Sequence, residues 1–364
     1  MKILYVITSL RTGGAEKLVV SLMPRLHSMG YKVGVVLFNG KRTALMKQLE
    51  VECPECEVYS LGDSFYNPFY IFKLIRIMRK YNVIHTHNSS PQLYAAIANL
   101  FCRKKLVTTE HSTNNRKREL GGLFRLVDKW MYSRYNKIVC ISDIAEKKLR
   151  QYLNNNSSKI CTIYNGVDVQ TIGKALAIEG LKADRCVIVM VAGFREAKDQ
   201  DTLIRAMSKL PNKKFELWLV GDGVRRKELE ELVGKLEIAD CVKFMGVRLD
   251  VPNILKTADI IVMSSHWEGL SLSNIEGMSA GKPFIASEVD GLREVTNGYG
   301  VLFPHGDDLA LAKEIQHLAE DKEYADMVAK RCQQRAAEFD ISVMAEKYNQ
   351  VYLELMKPQT NVEE

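Results

Sequence analysis

Two glutamates stand eight residues apart in the stretch HWEGLSLSNIEGMSAGKPFIA, at positions 268 and 276. Paired carboxylates are familiar acid–base tools at a sugar carbon. Here the surroundings argue for another use. DIIVMSS reads as a buried strand, HWEGL as a loop, and SNIEGMSAG as the start of a helix with Ser271 or Ser273 as cap. Glu268 therefore lies in the loop and Glu276 about one turn into the helix, so the two need not converge. Between them Gly269 and its successors expose amides at a helix start, which suits a phosphate.

Four other strand-to-helix junctions carry unusual residues. In SLRTGGAEK, Gly13 and Gly14 can take positive φ and bring a ligand against the amides of the next helix. The stretch lacks both the Gly-x-Gly-x-x-Gly and the Walker lysine pattern, so neither a nicotinamide cofactor nor ATP is supported. IHTHN and TTEHS place His85, His87 and His111 near strand ends. Alternation puts both members of the His-x-His pair on one face, and no partner carboxylate is obvious for a metal. His85 reads as a satisfied structural histidine, whereas His111 points better into a cleft. In VAGFREAKDQDTLIRA, Lys198 precedes a helix and Arg195 lies three residues back. Cations there make poor helix design but a good diphosphate clamp. GDGVRR, with Gly223, is a further glycine-rich turn.

The elements that position these loops alternate short apolar runs with amphipathic stretches, in two sets. KILYVIT, KVGVVLF, NVIHTH, KLVTTEH and NKIVCIS form the first set of strands; CVIVMVAG, FELWLVG, CVKFMG, DIIVMSS and KPFIAS form the second. That order means βαβ units and parallel sheets, an α/β fold of two doubly wound domains. A length of 364 residues suits two cores. The divisions are residues 1–165, a polar linker at 166–184, a second domain at 185–340, and a last amphipathic helix at 341–364. In such sheets ligands bind at the carboxyl ends of the strands, here facing a central cleft.

Charge is unevenly spread. Residues 1–170 hold 26 lysines and arginines against 12 acids, while residues 171–364 hold 25 against 32. The basic excess peaks in 69–137 and points to an anionic partner or an anionic membrane surface, with FYIFKLIRIMRKY (69–81) as the contact. The alternative for that stretch is a core-packed helix with a basic outer side. The basic residues show no RNA-module pattern or aromatic platform, so no nucleic acid is expected. The apolar start is too short for a signal peptide, and no run approaches the roughly 18–20 residues that span a bilayer. Scattered cysteines read as ordinary thiols of a reducing, cytoplasmic compartment, and the lone CxxC at 53–56 reads as neither a metal nor a redox site.

Taken in order, GGAE (13–16), TEHS, IYNGVD (163–168), VAGFREAKDQDTLIRA, LWLVGDG (217–223), VKFMG (242–246), the E-x7-E stretch and DGLREV (290–295) make the chain resemble the family 4 retaining glycosyltransferases, also called glycosyltransferases group 1, of GT-B fold. The resemblance covers nearly the whole chain. It implies that Gly13 and Gly14 close over the diphosphate and that His111 sits by the donor sugar. It also implies that Lys198 contacts the donor phosphates. Glu268 would bind the sugar, the amides of Gly269, Leu270, Ser271 and Leu272 would lie near sugar and phosphate, and Glu276 would bind the ribose. Phe244, in VKFMG, would lie along the base with Gly223 nearby, and the last helix would cross back to the first domain. His87 and Arg116 are the acceptor-side candidates. The family's usual V-G-R-L arginine is absent: Gly193 fills that slot before Phe194, so either Arg195 swings in as its substitute, the favoured reading, or Lys198 and amides alone hold the phosphate.

The implied reaction is retaining transfer from a nucleotide sugar, UDP-linked first and GDP-linked second, to a glycan or lipid-linked acceptor. The setting would be capsule, lipopolysaccharide, other polysaccharide or glycolipid synthesis, with the protein cytoplasmic or peripheral on the inner membrane face. No cofactor is expected, and no Asp-x-Asp metal motif stands out in a plausible position. Two competing readings are a non-hydrolysing UDP-sugar 2-epimerase and a non-catalytic GT-B partner subunit.

Overall fold

The structure, a computed structural model, describes residues 1–11, 13–111, 122–154, 157–182 and 184–357. It divides into two units, Met1–Asn165 with Ile341–Glu364, and Gly166–Asp340.

The first unit is built on a seven-stranded sheet of order β3-β2-β1-β4-β5-β6-β7. Its strands are β1 (Lys2–Ile7), β2 (Lys32–Leu37), β3 (Glu57–Ser60), β4 (Val83–His87), β5 (Lys105–Glu110), β6 (Lys137–Cys140) and β7 (Ile160–Thr162). All pair in parallel. Strands covered by helices on both faces must be apolar throughout, and KILYVI and KVGVVL are buried after their first lysine. The order reverses between β1 and β4, so the loops after those two strands diverge and leave a crevice at their carboxyl ends. The helix Ile341–Met356 packs into this unit: Tyr348 and Tyr352 are fully buried in the core built around Ile3, Tyr5 and Val107.

The second unit repeats the plan with six strands of order β10-β9-β8-β11-β12-β13. They are β8 (Cys186–Val191), β9 (Phe215–Val220), β10 (Val242–Gly246), β11 (Ile260–Met263), β12 (Phe284–Ser287) and β13 (Val301–Phe303), again all parallel. Here the reversal falls between β8 and β11.

Two expectations need correction. The segment 166–184 is not an open linker but part of the second unit. Asp168 caps a helix at Val169–Lys174 by accepting the Thr171 amide, and the Ile178 amide donates to Thr257 Oγ1 at 2.8 Å. Cys53 and Cys56 are not free thiols: they form a disulfide across the turn that joins the helix Ala44–Glu52 to β3.

Candidate functional site

The residues singled out by type converge on the two reversal points. In the second unit, Arg195 and Lys198 follow β8 and Glu268 follows β11, and these two strands are neighbours. A short 3-10 turn, Glu196–Lys198, carries the lysine to the edge of the helix Gln200–Met207, which Asp199 caps. The Lys198 ammonium donates to Glu268 Oε1, and Ser265 Oγ donates to the same oxygen at 2.7 Å. Both charged side chains are largely enclosed, at 23% and 11% exposure. Each therefore holds the other in place without ligand, and the pair presents a cation and an anion side by side.

Ser271 occupies the N-cap position of the helix Leu272–Ser279, but its side chain accepts no amide. The first amides of that helix are left without a side-chain cap, and they lie beside Lys198 and Glu268 in sequence and topology. An uncapped helix start with an adjacent ammonium is suited to an anion. Glu276 lies in the second turn, part-buried, with no ion pair or side-chain hydrogen bond among the described residues. A carboxylate left unpartnered there is available to hydroxyl donors. The loop is pinned from behind by Gly291: a Cβ at that position would lie 1.5 Å from the Gly269 carbonyl oxygen. That close approach explains the glycine in DGLREV, to which the sequence assigns no role.

Arg195 is exposed, and its Nε lies 3.9 Å from where a side chain on Gly193 would begin. The guanidinium therefore folds back over the slot that Gly193 leaves empty. Phe194 beside it is buried and meets Phe244 edge-on, with ring centroids 6.0 Å apart. Arg226 lies over the Phe244 ring at 5.8 Å. The glycines of GDG are there for close approach: a Cβ at Gly221 or Gly223 would strike the Ala192 or Phe194 carbonyl, and Gly221 has φ +138°. The β8, β9 and β10 loops thus form one wall, with an aromatic ring and a guanidinium at its far end. Sequence reading missed Ser265, in a loop, and Arg226, at the start of the helix Arg226–Lys235, since such residues carry no signal before their partners are known.

In the first unit, His87 ends β4, which borders the other reversal point, and His111 follows the neighbouring β5. His87 Nδ1 and His111 Nε2 share a hydrogen bond of 2.8 Å. Burial lowers the His111 pKa to about 4 and holds that of His87 well below its ordinary value. Both rings are thus neutral, and one donates to the other. His87 is fully buried, and its Nε2 has no hydrogen-bond partner among the described residues. Arg116, the other acceptor-side candidate, lies outside the described residues. His85 is structural: its Nδ1 bonds Tyr352 Oη at 2.6 Å and its Nε2 bonds Thr109 Oγ1 at 2.8 Å. Those contacts fasten the last helix beneath the histidines.

The glycine pair behaves differently from its sequence expectation. Gly13 is extended at φ −170°, and Gly14 is not among the glycines of positive φ. What matters is space. Nothing among the described residues lies within 4 Å of a Cβ on Gly14, while the nearest group to one on Gly13 is the folded-back Glu16 carboxyl. The Glu16 carboxyl thus folds back over the start of the helix Gly14–Ser28, which Gly13 caps with no side chain.

Residues 12–171 match the family described as Glycosyltransferase Family 4, and residues 173–335 match Glycosyl transferases group 1. A Campylobacter jejuni N-acetylgalactosamine-N,N'-diacetylbacillosaminyl-diphospho-undecaprenol 4-alpha-N-acetylgalactosaminyltransferase is 25% identical, over 92% of this chain and 94% of its own. An Escherichia coli UDP-Gal:alpha-D-GlcNAc-diphosphoundecaprenol alpha-1,3-galactosyltransferase is 24% identical, over 83% and 82%. The crystal structure of Anabaena HepE in complex with UDP superposes with a TM-score of 0.84 at 22% identity, covering 97% of this chain and all of that one. The last likeness shows the fold.

Proposed function

This chain belongs to the family 4 glycosyltransferases of GT-B fold, and we propose that it moves a sugar from a UDP-linked donor to a lipid-linked glycan acceptor with retention at the anomeric carbon. The observation that carries the reading is the set at the β8–β11 reversal: Lys198 paired with Glu268, an uncapped helix start, and an unpartnered Glu276. An anion flanked by two sugars fits that row. The diphosphate takes the amides of Leu272 and its neighbours with Lys198 and Arg195. Glu276 accepts the ribose hydroxyls and Glu268 those of the transferred sugar, with Phe244 along the base. Gly13 and Gly14 close over the diphosphate and His111 serves the donor sugar, roles that the family resemblance implies.

As the bond to the diphosphate breaks, negative charge grows on the leaving oxygen. Fixed amides and ammonium groups stabilise that charge without reorganising, which lowers the barrier. Attack comes from the face the diphosphate leaves, and the leaving phosphate takes the acceptor's proton, so no protein nucleophile is required. Uridine is favoured over guanosine because HepE holds UDP and the E. coli relative is named for UDP-galactose. The lipid-linked acceptor is supported by the two named relatives, both named for transfer to diphosphoundecaprenol-linked sugars.

No helix among the described residues is long and apolar enough to cross a membrane. A surface contact is the better reading for the basic unit. The helix Tyr70–Met78 buries Tyr70, Leu74 and Met78 but exposes Phe72, and Phe69 just before it, at 70% and 72%. Lys73, Arg76, Arg79 and Lys80 are exposed alongside. One edge thus packs as a core helix while the other offers aromatics ringed by cations, as an interfacial helix does.

The test is a thermal-shift series of UDP, GDP and their sugars, followed by transfer to a diphosphoundecaprenol-linked sugar in EDTA with the product's anomeric configuration read by NMR. Stabilisation by UDP-sugars and a retained configuration in EDTA are expected. GDP preference, inversion or a strict divalent-metal requirement for transfer would each overturn the corresponding part. Vesicles containing anionic lipid should bind the protein at low salt and release it at high salt; no binding at low salt removes the membrane contact.

A further inference from the structure

We propose that Asp199, His266 and His305 form a binding site for one divalent transition-metal ion, separate from the groups that handle the donor. The three residues come from three loops at the carboxyl edge of the second sheet. Asp199 caps the helix after β8, His266 follows β11, and His305 follows β13. One donor atom from each lies within 4.8 Å of the others. His266 Nδ1 lies 2.6 Å from His305 Nε2 and 3.5 Å from Asp199 Oδ2. Tetrahedral bonds of about 2.0–2.1 Å set neighbouring donors about 3.3 Å apart, so the carboxylate distance already suits an ion. The two imidazoles need to part by under an ångström.

The environment supports a cation. Asp199 is 1% exposed and pairs with no lysine or arginine among the described residues; its oxygens accept the Thr202 amide at 3.2 Å and hydroxyl at 2.6 Å, and Oδ2 keeps a further lone pair toward His266. The nearest ammonium in sequence, Lys198, is neutralised by Glu268. The backbone is held from several sides: the His266 amide donates to the Ala197 carbonyl at 2.9 Å, and Ser264 Oγ donates to the Asp199 carbonyl at 2.7 Å. Two imidazoles and one carboxylate favour zinc, cobalt or nickel over magnesium or calcium, which prefer oxygen cages. Without metal, one of the facing ring nitrogens carries the hydrogen that joins them. On binding, that ring moves its proton to its other nitrogen, so both present lone pairs and no charge is lost. The ion would tie the neighbours of Lys198 and Glu268 to the β13 loop, and so brace the loops around that pair.

The experiment titrates the metal-free full chain with Zn²⁺ against a chromophoric chelator and follows thermal unfolding in the same samples. One ion per chain is expected, with Tm raised by several degrees. His305 is exposed, so His305→Ala keeps the fold, checked by circular dichroism, and it should lose at least tenfold in affinity together with the Tm shift. His266→Ala should behave alike, whereas His317→Ala, an exposed histidine elsewhere in the chain, should bind as the parent does. Co²⁺ should give the intense visible band of a tetrahedral nitrogen–oxygen site. Failure of the parent chain to take up Zn²⁺, or uptake undiminished in His305→Ala, would overturn the proposal. Equal losses in His305→Ala and His317→Ala would do the same, since they mean adventitious surface binding.

Discussion

Replacing Glu276 by alanine separates binding from stability, because the structure gives its carboxylate nothing to hold. It makes no ion pair or side-chain hydrogen bond among the described residues and sits part-buried in the second turn of a helix where alanine is at home. The fold should lose no more than about 0.5 kcal/mol. The nucleotide should lose a charge-assisted hydrogen-bonding partner for its ribose, about 2–3 kcal/mol, or a rise of about 30- to 150-fold in the Kd of UDP. Turnover at saturating donor should stay within about threefold, as the reacting carbon is untouched. Glu268→Ala should show the opposite pattern. It strands the enclosed Lys198 and so costs about 1–3 kcal/mol of stability, less than a fully buried pair would. UDP affinity should hold or tighten, since the freed ammonium faces the phosphates, while transfer slows sharply. Calorimetry with UDP and single-turnover transfer with each variant decide the matter. If Glu276→Ala leaves UDP affinity intact while Glu268→Ala abolishes it, the two roles are swapped and the reasoning from partnering fails.

Three further outcomes are expected. Arg195→Ala should weaken UDP about tenfold, and adding Gly193→Arg should restore it, because only the Asp222 carbonyl, at 3.7 Å, and Arg195 itself approach a Cβ there; unchanged affinity in the single variant refutes the substitution. Gly291→Ala should cost more than about 3 kcal/mol and lower UDP affinity by driving the Gly269 carbonyl out of place, whereas a Tm within a degree of the parent would show that the loop gives freely. Burial sets the pKa of His85 at about 3 and of His111 at about 4, below the unfolded value near 6.5. Their contribution is full above pH 6.5 and is lost as pH falls toward 4, at about 1.4 kcal/mol per unit for each ring; urea unfolding from pH 7 to 5 should show it, and a slope unchanged in His111→Asn would count against it.

Much of this was legible in the chain because parallel strands buried on both faces are largely apolar: CVIVMV is so throughout, and FELWLV departs only at Glu216, whose carboxylate accepts from Trp218 Nε1 and pairs with Lys243. What escaped was set by partners rather than by pattern. The edge strands Glu57–Ser60, Ile160–Thr162 and Val301–Phe303 are three or four residues long and take their identity from the neighbour they pair with. The 166–184 segment is polar, yet it docks through buried Val167 and Ile172, through bonds to Thr257 and Asn253, and through a Lys182–Asp259 pair that no pattern announces. At the site, residue types located Lys198, Glu268 and Glu276, but not the pairing of the first two. Nor did they show that Ser271 leaves its helix uncapped or that Gly13 serves through space rather than through φ.

The charge distribution gives the two units different physics. The second unit, Gly166–Asp340, carries 23 basic against 29 acidic side chains, so the field of the unit proposed to bind the donor repels a diphosphate as a whole. Its affinity must come from groups in contact: Lys198, Arg195 and the amides at Leu272. Contacts of that range are shorter than the Debye length of about 8 Å at physiological salt and are weakly screened. The basic excess of residues 1–170, 26 against 12, acts over longer distances and is screened strongly. Raising salt from about 0.05 to 0.5 M should therefore leave the Kd for UDP within a few-fold while it weakens capture of an anionic, membrane-borne acceptor by far more. A UDP affinity that falls as steeply as acceptor binding would mean that the donor is drawn in by the protein's general field, and that the local clamp is not what holds it.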